Sequence, residues 1–438
     1  MEKFIIQGGR ELHGSVRIGG AKNSSFKLMI ASLLAQGETR LLNIPLINDV
    51  EITRQIIDHL GGRVRSAGER LLCVDGTNLT TNEVPQRFGK HSRASTMFIA
   101  PLLSRFKKAV VPLPGGDKIG ARPLDRHFAV FKALGATVTQ RGNVVVVSAD
   151  RLTGSHYKFE KNSHTGTETA IMAAVLAVGK TILENAAAEP EVDDLITFLT
   201  SMGAKIQRKP GRRIEIIGVK KLIPTIHRIM PDRNEAVSFA CAAVATGGDI
   251  IVENAREEHL KAFLHKLEEV GGGYEVGSFG IRFYHQGAFR SVDVVTKPYP
   301  GFMTDWQPLW AVLMTQAKGT AIIHETVHNN RFQYVRDLRK MGAKISLFNP
   351  KVTNPRRFYN FNLQDDRPEY RHAAKIQGPT PLKGRELKVH DLRAGATLVL
   401  AALIAKGQST ITGVDHIDRG YENLDGRLID LGASIKRL

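Results

Sequence analysis

Cysteine is scarce in this chain: Cys73 and Cys241 are the only two among 438 residues, and they lie far apart, outside any C-x-x-C pattern. That excludes a disulfide framework and a cysteine zinc site, and it fits a reducing compartment. Long apolar runs are missing too. The longest nearly unbroken one, Ala396 to Ala405, is too short to cross a bilayer. The opening Met1-Glu2-Lys3-Phe4-Ile5-Ile6-Gln7-Gly8-Gly9 lacks the apolar stretch of a signal peptide. A cytoplasmic chain with no membrane partner is expected. Acidic residues are outnumbered, with 43 Asp and Glu against 61 Lys and Arg and a formal net charge of +18. That excess suits a nucleic-acid binder or an enzyme for anionic small molecules, and a generally basic proteome would also produce it. An apolar fraction of 42% and a charged fraction of 24% exclude a disordered or fibrous chain. The length allows two or three domains.

What is present is a repeat. The phrase Leu60-Gly61-Gly62-Arg63-Val64 returns as Leu134-Gly135-Ala136-Thr137-Val138, Met202-Gly203-Ala204-Lys205-Ile206, Val270-Gly271-Gly272-Gly273-Tyr274, Met341-Gly342-Ala343-Lys344-Ile345 and Leu431-Gly432-Ala433-Ser434-Ile435. The spacings are 74, 68, 68, 71 and 90 residues. Each copy closes a helical pattern and opens a strand. Apolar residues recur at three- and four-residue steps from Val192 to Met202, Gly203 stands where a left-handed cap is needed, and Ile206 begins a β-branched stretch. Midway between copies lies an Ala/Leu-rich helix, a glycine and a strand, as in Ala173 to Asn185 and Ala242 to Asn254. The unit reads strand, helix, strand, strand, helix, used six times, and six such units imply two globular domains of three units each. The last interval carries an excess around Phe348 to His372, with Arg356-Arg357-Phe358-Tyr359-Asn360-Phe361 inside it. Basic residues among aromatics suit stacking on nucleic acid, but Asp365, Asp366 and Glu369 dilute the charge and favour a solvated hairpin extension.

Several motifs carry chemistry. His324-Glu325-Thr326-Val327-His328 matches the H-E-x-x-H zinc signature, which needs both histidines on one helical face. Here Gly319 to Ile323 leads in with strand character and Asn329-Asn330 follows as a turn. On a strand, residues four apart stand about 13 Å from each other, too far for one zinc, so no metal is expected. Gly179-Lys180-Thr181 lacks the glycine a P-loop needs at position 174. The loop 113–125 contains Gly115, Gly116 and Gly120 with Asp117, Lys118 and Arg122; it reads either as a surface turn or as a mobile lid bearing an acid and an anion-binding arginine. Lys22-Asn23 stands at the start of an apolar helical run, where a cation is unfavourable unless an anion sits beside it. Asp391-Leu392-Arg393 and Asp418-Arg419-Gly420-Tyr421-Glu422 are surface ion pairs, or carboxylates that hold each neighbouring guanidinium in place for a substrate anion.

Taken in order, Lys22-Asn23, Arg93-Ala94-Ser95, the 113–125 loop, Pro231-Asp232-Arg233, Thr304-Asp305, Asn330-Arg331-Phe332, Asp391-Leu392-Arg393 and His416 to Glu422 resemble the UDP-N-acetylglucosamine 1-carboxyvinyltransferase family of enolpyruvyl transferases. The resemblance spans essentially the whole chain. It implies an α/β fold of two inside-out α/β barrel domains, each of three repeated units of about 70 residues. One domain would comprise 22–230, with the mobile loop 113–125. The other would be discontinuous, 1–21 and 231–438, with an insertion around 348–372. The implied reaction moves the enolpyruvyl group of phosphoenolpyruvate to the 3-hydroxyl of UDP-N-acetylglucosamine and releases phosphate, committing precursors to peptidoglycan. No cofactor is implied, and the partners are these two small molecules. Lys22, Asn23, Arg122, Arg393 and Arg419 would bind phosphoenolpyruvate. Asn23, Arg93, Arg122, Pro123, Leu124, Asp125, Arg126, His164, Thr165, Gly166, Asp305, Val327 and Arg331 would bind the UDP-sugar. Asp117 as acid and Asp305 as base would join Lys22, Arg393 and Arg419 in catalysis. A substrate carrying about three negative charges calls for several preorganised cations, and addition followed by elimination needs an acid and a base with separated pKa values.

This chain departs from the family pattern at Asp117, where most members carry cysteine, and at Arg126 and His164-Thr165-Gly166. An aspartic acid can still donate a proton, but it cannot form the thioether by which fosfomycin inactivates the family, so insensitivity to that drug is expected. Two further enzymatic readings stay open: a diverged transferase for another UDP-sugar, and the sister enzyme acting on 3-phosphoshikimate, which has Lys-Ser in place of Lys22-Asn23 and lacks the 113–125 loop. From a different class, a basic nucleic-acid-binding protein on the same scaffold would show tight, salt-sensitive binding to duplex DNA.

Overall fold

A computed structural model describes residues 2–89, 93–114 and 123–438, with the backbone alone at Arg93. The described residues fall into two compact units, each with its own apolar core: a middle unit within 19–230 and a terminal unit formed by 2–18 and 231–438.

Each unit carries three small sheets. In the middle unit they are built on strands Glu38–Leu42, Lys108–Pro112 and Lys180–Glu184. In the terminal unit they are built on Asp249–Glu253, Gly319–His324 and Gln408–Thr412. The third sheet of the middle unit shows the rule. Lys180–Glu184 leads to helix Pro190–Ser201, then strands Lys205–Lys209 and Arg213–Ile217 return as an antiparallel hairpin with Ile182 opposite Glu215. Pro190 opens the helix, where its missing N–H costs nothing, and Val192, Leu195, Phe198 and Leu199 bury one stripe. Burying a leucine or phenylalanine side chain contributes about 1.5–3 kcal/mol. Gly203 ends the helix at φ 99°. Its N–H donates to the Thr200 carbonyl at 2.9 Å and that of Ala204 to Leu199 at 3.0 Å, which satisfies the last turn. The glycine of every copy of the repeated phrase has the same left-handed φ, so the sequence repeat is a repeat of one helix stop.

The structure adds one element to the expected unit. Five sheets gain a short parallel edge strand from elsewhere in the same unit: His156–Lys158 on Lys180–Glu184, Ile226–Arg228 on Glu38–Leu42, His13–Arg17 on Asp249–Glu253, Val294–Val295 on Gly319–His324, and Glu386–Lys388 on Gln408–Thr412. Inside the sheets lie helices buried on nearly every side. In the terminal unit Arg233–Ala245, Gln307–Gln316 and Leu392–Ile404 pack against one another, with small residues such as Ala236, Ala240, Ala243, Ala401 and Ala402 allowing close approach. Their counterparts in the middle unit are Lys22–Ser32, Ile99–Phe106 and His164–Ala174. Helices inside and sheets outside make each unit an inside-out α/β barrel. Four of these helices carry a basic side chain in the first turn: Lys22, His164, Arg233 and Arg393.

Residues 348–372 join the two strands of a hairpin and are exposed over much of their length, but the extension is not wholly solvated. They contain helix Pro355–Phe358 and a single turn Leu363–Asp365, and Tyr359, Phe361 and His372 are buried.

Candidate active site

In the terminal unit, Asp305 precedes the buried helix Gln307–Gln316 and stands between two arginines. Arg331 Nη2 donates to its Oδ1 at 3.2 Å and Arg393 Nε to its Oδ2 at 3.3 Å. The guanidinium-bearing residues are only 4% and 6% exposed. Burial alone would make Asp305 harder to ionise, but Arg393, then Arg331 and His328, outweigh it and hold the carboxyl far below its usual range. Burial likewise opposes charge on Arg393, and Tyr421, Asp305 and Asp232 more than restore it. Arg393 Nη1 reaches the Tyr421 hydroxyl at 3.2 Å, the guanidinium lies 5.5 Å from the centre of that ring, and the same hydroxyl is 2.7 Å from Ser238 Oγ.

The expectation that each carboxylate holds the arginine just after it is corrected here. Asp391 caps helix Leu392–Ile404, accepting from the backbone N–H groups of Arg393 and Ala394 at 3.0 Å, and its nearest guanidinium is that of Arg331 at 3.6 Å. The amides at a helix start bind a carboxylate one or two residues away, so the adjacent side chain is left to a distant partner. Asp418 pairs with Arg437, and Arg419 follows the short helix Asp415–Asp418, half-buried.

Val327 and His328 belong to a turn after strand Gly319–His324. Its anchor is the fully buried Glu325 carboxylate, which accepts from the Val327 and His328 N–H groups at 2.7 and 3.0 Å and from Thr304 Oγ1 at 2.8 Å. Burial pushes this carboxyl up, while those donors pull it down. His324 sits at the end of a strand rather than on a helix, and burial, with His372 nearby, pushes its imidazole down to about 4. Among the described residues, no cluster of three or more His, Cys, Asp or Glu is placed to hold a metal ion.

In the middle unit, Lys22 opens helix Lys22–Ser32, and Asp49 from the first turn of helix Asn48–His59 meets its Nζ at 2.7 Å. The anion that this position asks for is thus a residue of the protein itself. Asn23 is half-buried on the next position, and one turn on, Lys27 reaches Glu168 Oε1 at 2.7 Å and His164 Nε2 at 3.2 Å. Lys27 is 2% and Glu168 0% exposed. His164 takes the first position of helix His164–Ala174, whose cap Ser163 accepts from the Gly166 N–H at 3.1 Å. Burial lowers its imidazole, but Glu168 outweighs both burial and Lys27 and holds it above its ordinary value. Thr165 Oγ1 lies 3.0 Å from His127 Nε2, where helix Asp125–Ala133 packs against helix His164–Ala174; Asp125 and Arg126 open the former helix, and Pro123 and Leu124 precede it. Arg93 begins the turn Arg93–Phe98. Asp117 and Arg122 lie outside the described residues. Sequence reading missed Asp49, Lys27, Glu168 and the anchoring role of Glu325. Lys27 and Glu168 had one visible signal, a charge on an otherwise apolar helix face.

The model of the EPSP synthase (3-phosphoshikimate 1-carboxyvinyltransferase) family matches residues 6–428. A UDP-N-acetylglucosamine 1-carboxyvinyltransferase of Koribacter versatilis is 41% identical over 443 aligned positions, covering 100% of this chain and 97% of the relative. A protein of Geobacillus kaustophilus named UDP-N-acetylglucosamine 1-carboxyvinyltransferase 2 is 40% identical, again over 100% of this chain and 97% of its own. The chain belongs to the enolpyruvyl transferase family. Solved structures of enolpyruvyl transferases share its fold. The enolpyruvyl transferase NikO from Streptomyces tendae superposes with a TM-score of 0.86 at 24% identity over 100% of this chain and 98% of that one. An EPSP synthase from Acinetobacter baumannii does so with a TM-score of 0.73 at 17% identity over 100% of both. In this enolpyruvyl transferase, Lys22 and Arg393 stand in the first turns of buried helices, each already paired with a carboxylate of the protein.

Proposed function

We propose that this protein transfers the enolpyruvyl group of phosphoenolpyruvate to the 3-hydroxyl of UDP-N-acetylglucosamine, a step of peptidoglycan precursor synthesis. The observation that carries the reading is about 40% identity, end to end, to relatives that bear this activity in their names. Addition forms the bond from the sugar oxygen to C2 of the enolpyruvyl group while a proton reaches the methylene carbon. Elimination returns that proton, restores the double bond and breaks the C2–O bond to release inorganic phosphate. Lys22, Asn23, Arg122, Arg393 and Arg419 bind phosphoenolpyruvate. Asn23, Arg93, the 122–126 segment, the 164–166 segment, Asp305, Val327 and Arg331 bind the UDP-sugar. Asp305 accepts the hydroxyl proton and Asp117 serves the methylene carbon. The depressed pKa of Asp305 supports its role as the ionised partner, and the paired arginines beside it supply a ready positive field. The catalytic domains are 22–230, and 1–21 with 231–438; the division of the compact units near 18 and 230 supports these bounds. An enzyme for two phosphorylated metabolites works in the cytoplasm, and among the described residues no helix is long and apolar enough to cross a membrane.

The matching family model carries the name of the 3-phosphoshikimate enzyme, which makes that compound the second substrate to try. Purified protein is given phosphoenolpyruvate with either acceptor, and phosphate release is followed with product mass. Phosphate and an enolpyruvyl UDP-sugar establish the reading; product from 3-phosphoshikimate alone replaces it.

A further inference from the structure

The stretch 324–328 that imitates a zinc motif and the long segment 348–372 meet in the terminal unit. Strands Lys344–Phe348 and Ala373–Gly378 form an antiparallel hairpin with Phe348 opposite Ala373, so the segment is the hairpin's connection, tied at both ends. A connection of that length without a role of its own is uncommon in a compact fold. It is packed by a run of rings: Tyr359 stacks on Phe361 with centroids 4.8 Å apart, and His372 lies 5.0 and 5.1 Å from them. Tyr359 also reaches His324 Nε2 at 3.2 Å through its hydroxyl, and Phe358 lies 4.9 Å from the same imidazole. His372 Nε2 is in turn 3.1 Å from Asp366.

This packed segment holds the turn 325–329 from outside. The Asn360 N–H donates to the Thr326 carbonyl at 2.7 Å, the Glu325 N–H donates to the His372 carbonyl at 2.8 Å, and Asn329 Nδ2 donates to the Asp365 carbonyl at 2.7 Å. From inside, the Glu325 carboxylate takes the Val327 and His328 amides and the Thr304 hydroxyl, and Thr304 is the neighbour of Asp305. The Thr326 N–H is held by Thr296 Oγ1 at 2.8 Å. A turn whose backbone is fixed on both sides cannot shift without breaking several buried hydrogen bonds, and each break leaves a desolvated group behind.

We propose that residues 348–372 are a positioning element for the acceptor sugar, clamping the turn that carries Val327 from outside while Glu325 holds it from inside. The inference rests on the proposed function, in which Val327 faces the sugar. It gives the segment a task tied to one substrate: loosening it displaces the acceptor and leaves phosphoenolpyruvate binding as it was.

The test replaces residues 349–372 by an Asn-Gly turn, which suits a two-residue hairpin, and measures both KM values, kcat, the unfolding midpoint and calorimetric binding of UDP-N-acetylglucosamine. A displacement of about 1 Å costs up to about a hundredfold, so KM for UDP-N-acetylglucosamine should rise by about ten- to a hundredfold while KM for phosphoenolpyruvate stays within about twofold. The milder Tyr359→Leu, which removes the ring stack and the contact with His324, should raise the same KM by about threefold on the same reasoning, and it decides the matter alone if the shortened protein does not fold. Folded variants with an unchanged acceptor KM overturn the inference. So does a parallel loss in both KM values that merely follows the unfolding midpoint. A wild-type protein that makes no product from UDP-N-acetylglucosamine overturns the proposed function, and this inference with it; an active wild type with indifferent variants overturns the inference alone.

Discussion

Replacing Asp305 by asparagine keeps the shape and removes the charge, and the structure says what each loss is worth. At 3.2–3.3 Å from two guanidinium groups, each attraction amounts to about 5 kcal/mol at an effective dielectric constant near 20, before desolvation is subtracted. The net cost to the fold is smaller. The Asp305 side chain is 23% exposed, Arg331 keeps Asp391 at 3.6 Å, and Arg393 keeps the Tyr421 hydroxyl. The amide oxygen can still accept from one arginine, so the loss is about 1–3 kcal/mol, well inside the usual margin of about 5–15 kcal/mol. Loss of a general base costs about 10²–10⁴ in kcat. Asp305→Asn should therefore be folded and nearly inactive, with UDP-sugar binding within about tenfold of wild type. Phosphate release, calorimetric binding and urea unfolding measured together check this, and a variant retaining more than a tenth of the wild-type kcat refutes the base assignment. The pH dependence carries a sign. The folded-state pKa lies below the unfolded value of about 3.9, so the stability Asp305 contributes is present above that pH and is lost only as pH falls through the lower folded value. Between wild type and variant the stability gap should stay flat near neutrality and close only in acid. The free enzyme's kcat/KM should show no acid limb from Asp305 above about pH 4.

The buried pair Lys27–Glu168 should behave as a unit. Lys27→Met or Glu168→Gln alone should cost about 3–5 kcal/mol in chemical denaturation, while the double change Lys27→Met with Glu168→Leu recovers most of that; additive losses would show the charges are not coupled. Tyr421→Phe removes a neutral partner of the charged Arg393, worth about 1.5–3 kcal/mol. It should cut kcat/KM for phosphoenolpyruvate by about tenfold or more and lower the unfolding midpoint by several degrees, and an unchanged kcat/KM would disconnect that hydroxyl from the site. Because Asp117 offers no thiol, fosfomycin should leave activity and protein mass unchanged, and Asp117→Cys should gain a covalent adduct; time-dependent inactivation of the natural sequence would contradict the reasoning.

Much of the fold was legible because its repeat depends on a backbone rule that sequence exposes. Six helices stop at a left-handed residue, glycine meets that demand at no steric cost, and the same phrase therefore recurs. The parallel edge strands were not legible. His156–Lys158 and Ile226–Arg228 are three residues long with both end residues exposed. They are held by main-chain pairing and by polar side-chain contacts, His156 with Glu184 at 3.0 Å and His227 with Asp194 at 2.8 Å, and carry no alternating apolar signal. The 348–372 segment was legible only in part, as an extension of a hairpin. Its charges suggested solvation, yet alternate ring positions, Tyr359 and Phe361, turn inward while Arg356 and Arg357 stay in water.

The site divides in the same way. Lys22, Asp305, Arg393 and Arg419 could be named as candidates by type and order, but their partners could not, because the ion pairs span the chain: Arg393 finds Asp305 from 88 residues away. Sequence adjacency pointed to Asp391 instead, and helix capping had already claimed it. That substitution of partners has a chemical consequence. While Arg393 and Arg331 hold Asp305, its carboxylate is a poor proton acceptor. Under the proposed function, an anion that drew on the Arg393 guanidinium would weaken its hold on Asp305 and return basicity to that carboxylate. On that reading, donor binding would activate the base for the acceptor's hydroxyl. An arginine shared between a substrate anion and a catalytic carboxylate makes the order of events a property of the ion pairs themselves.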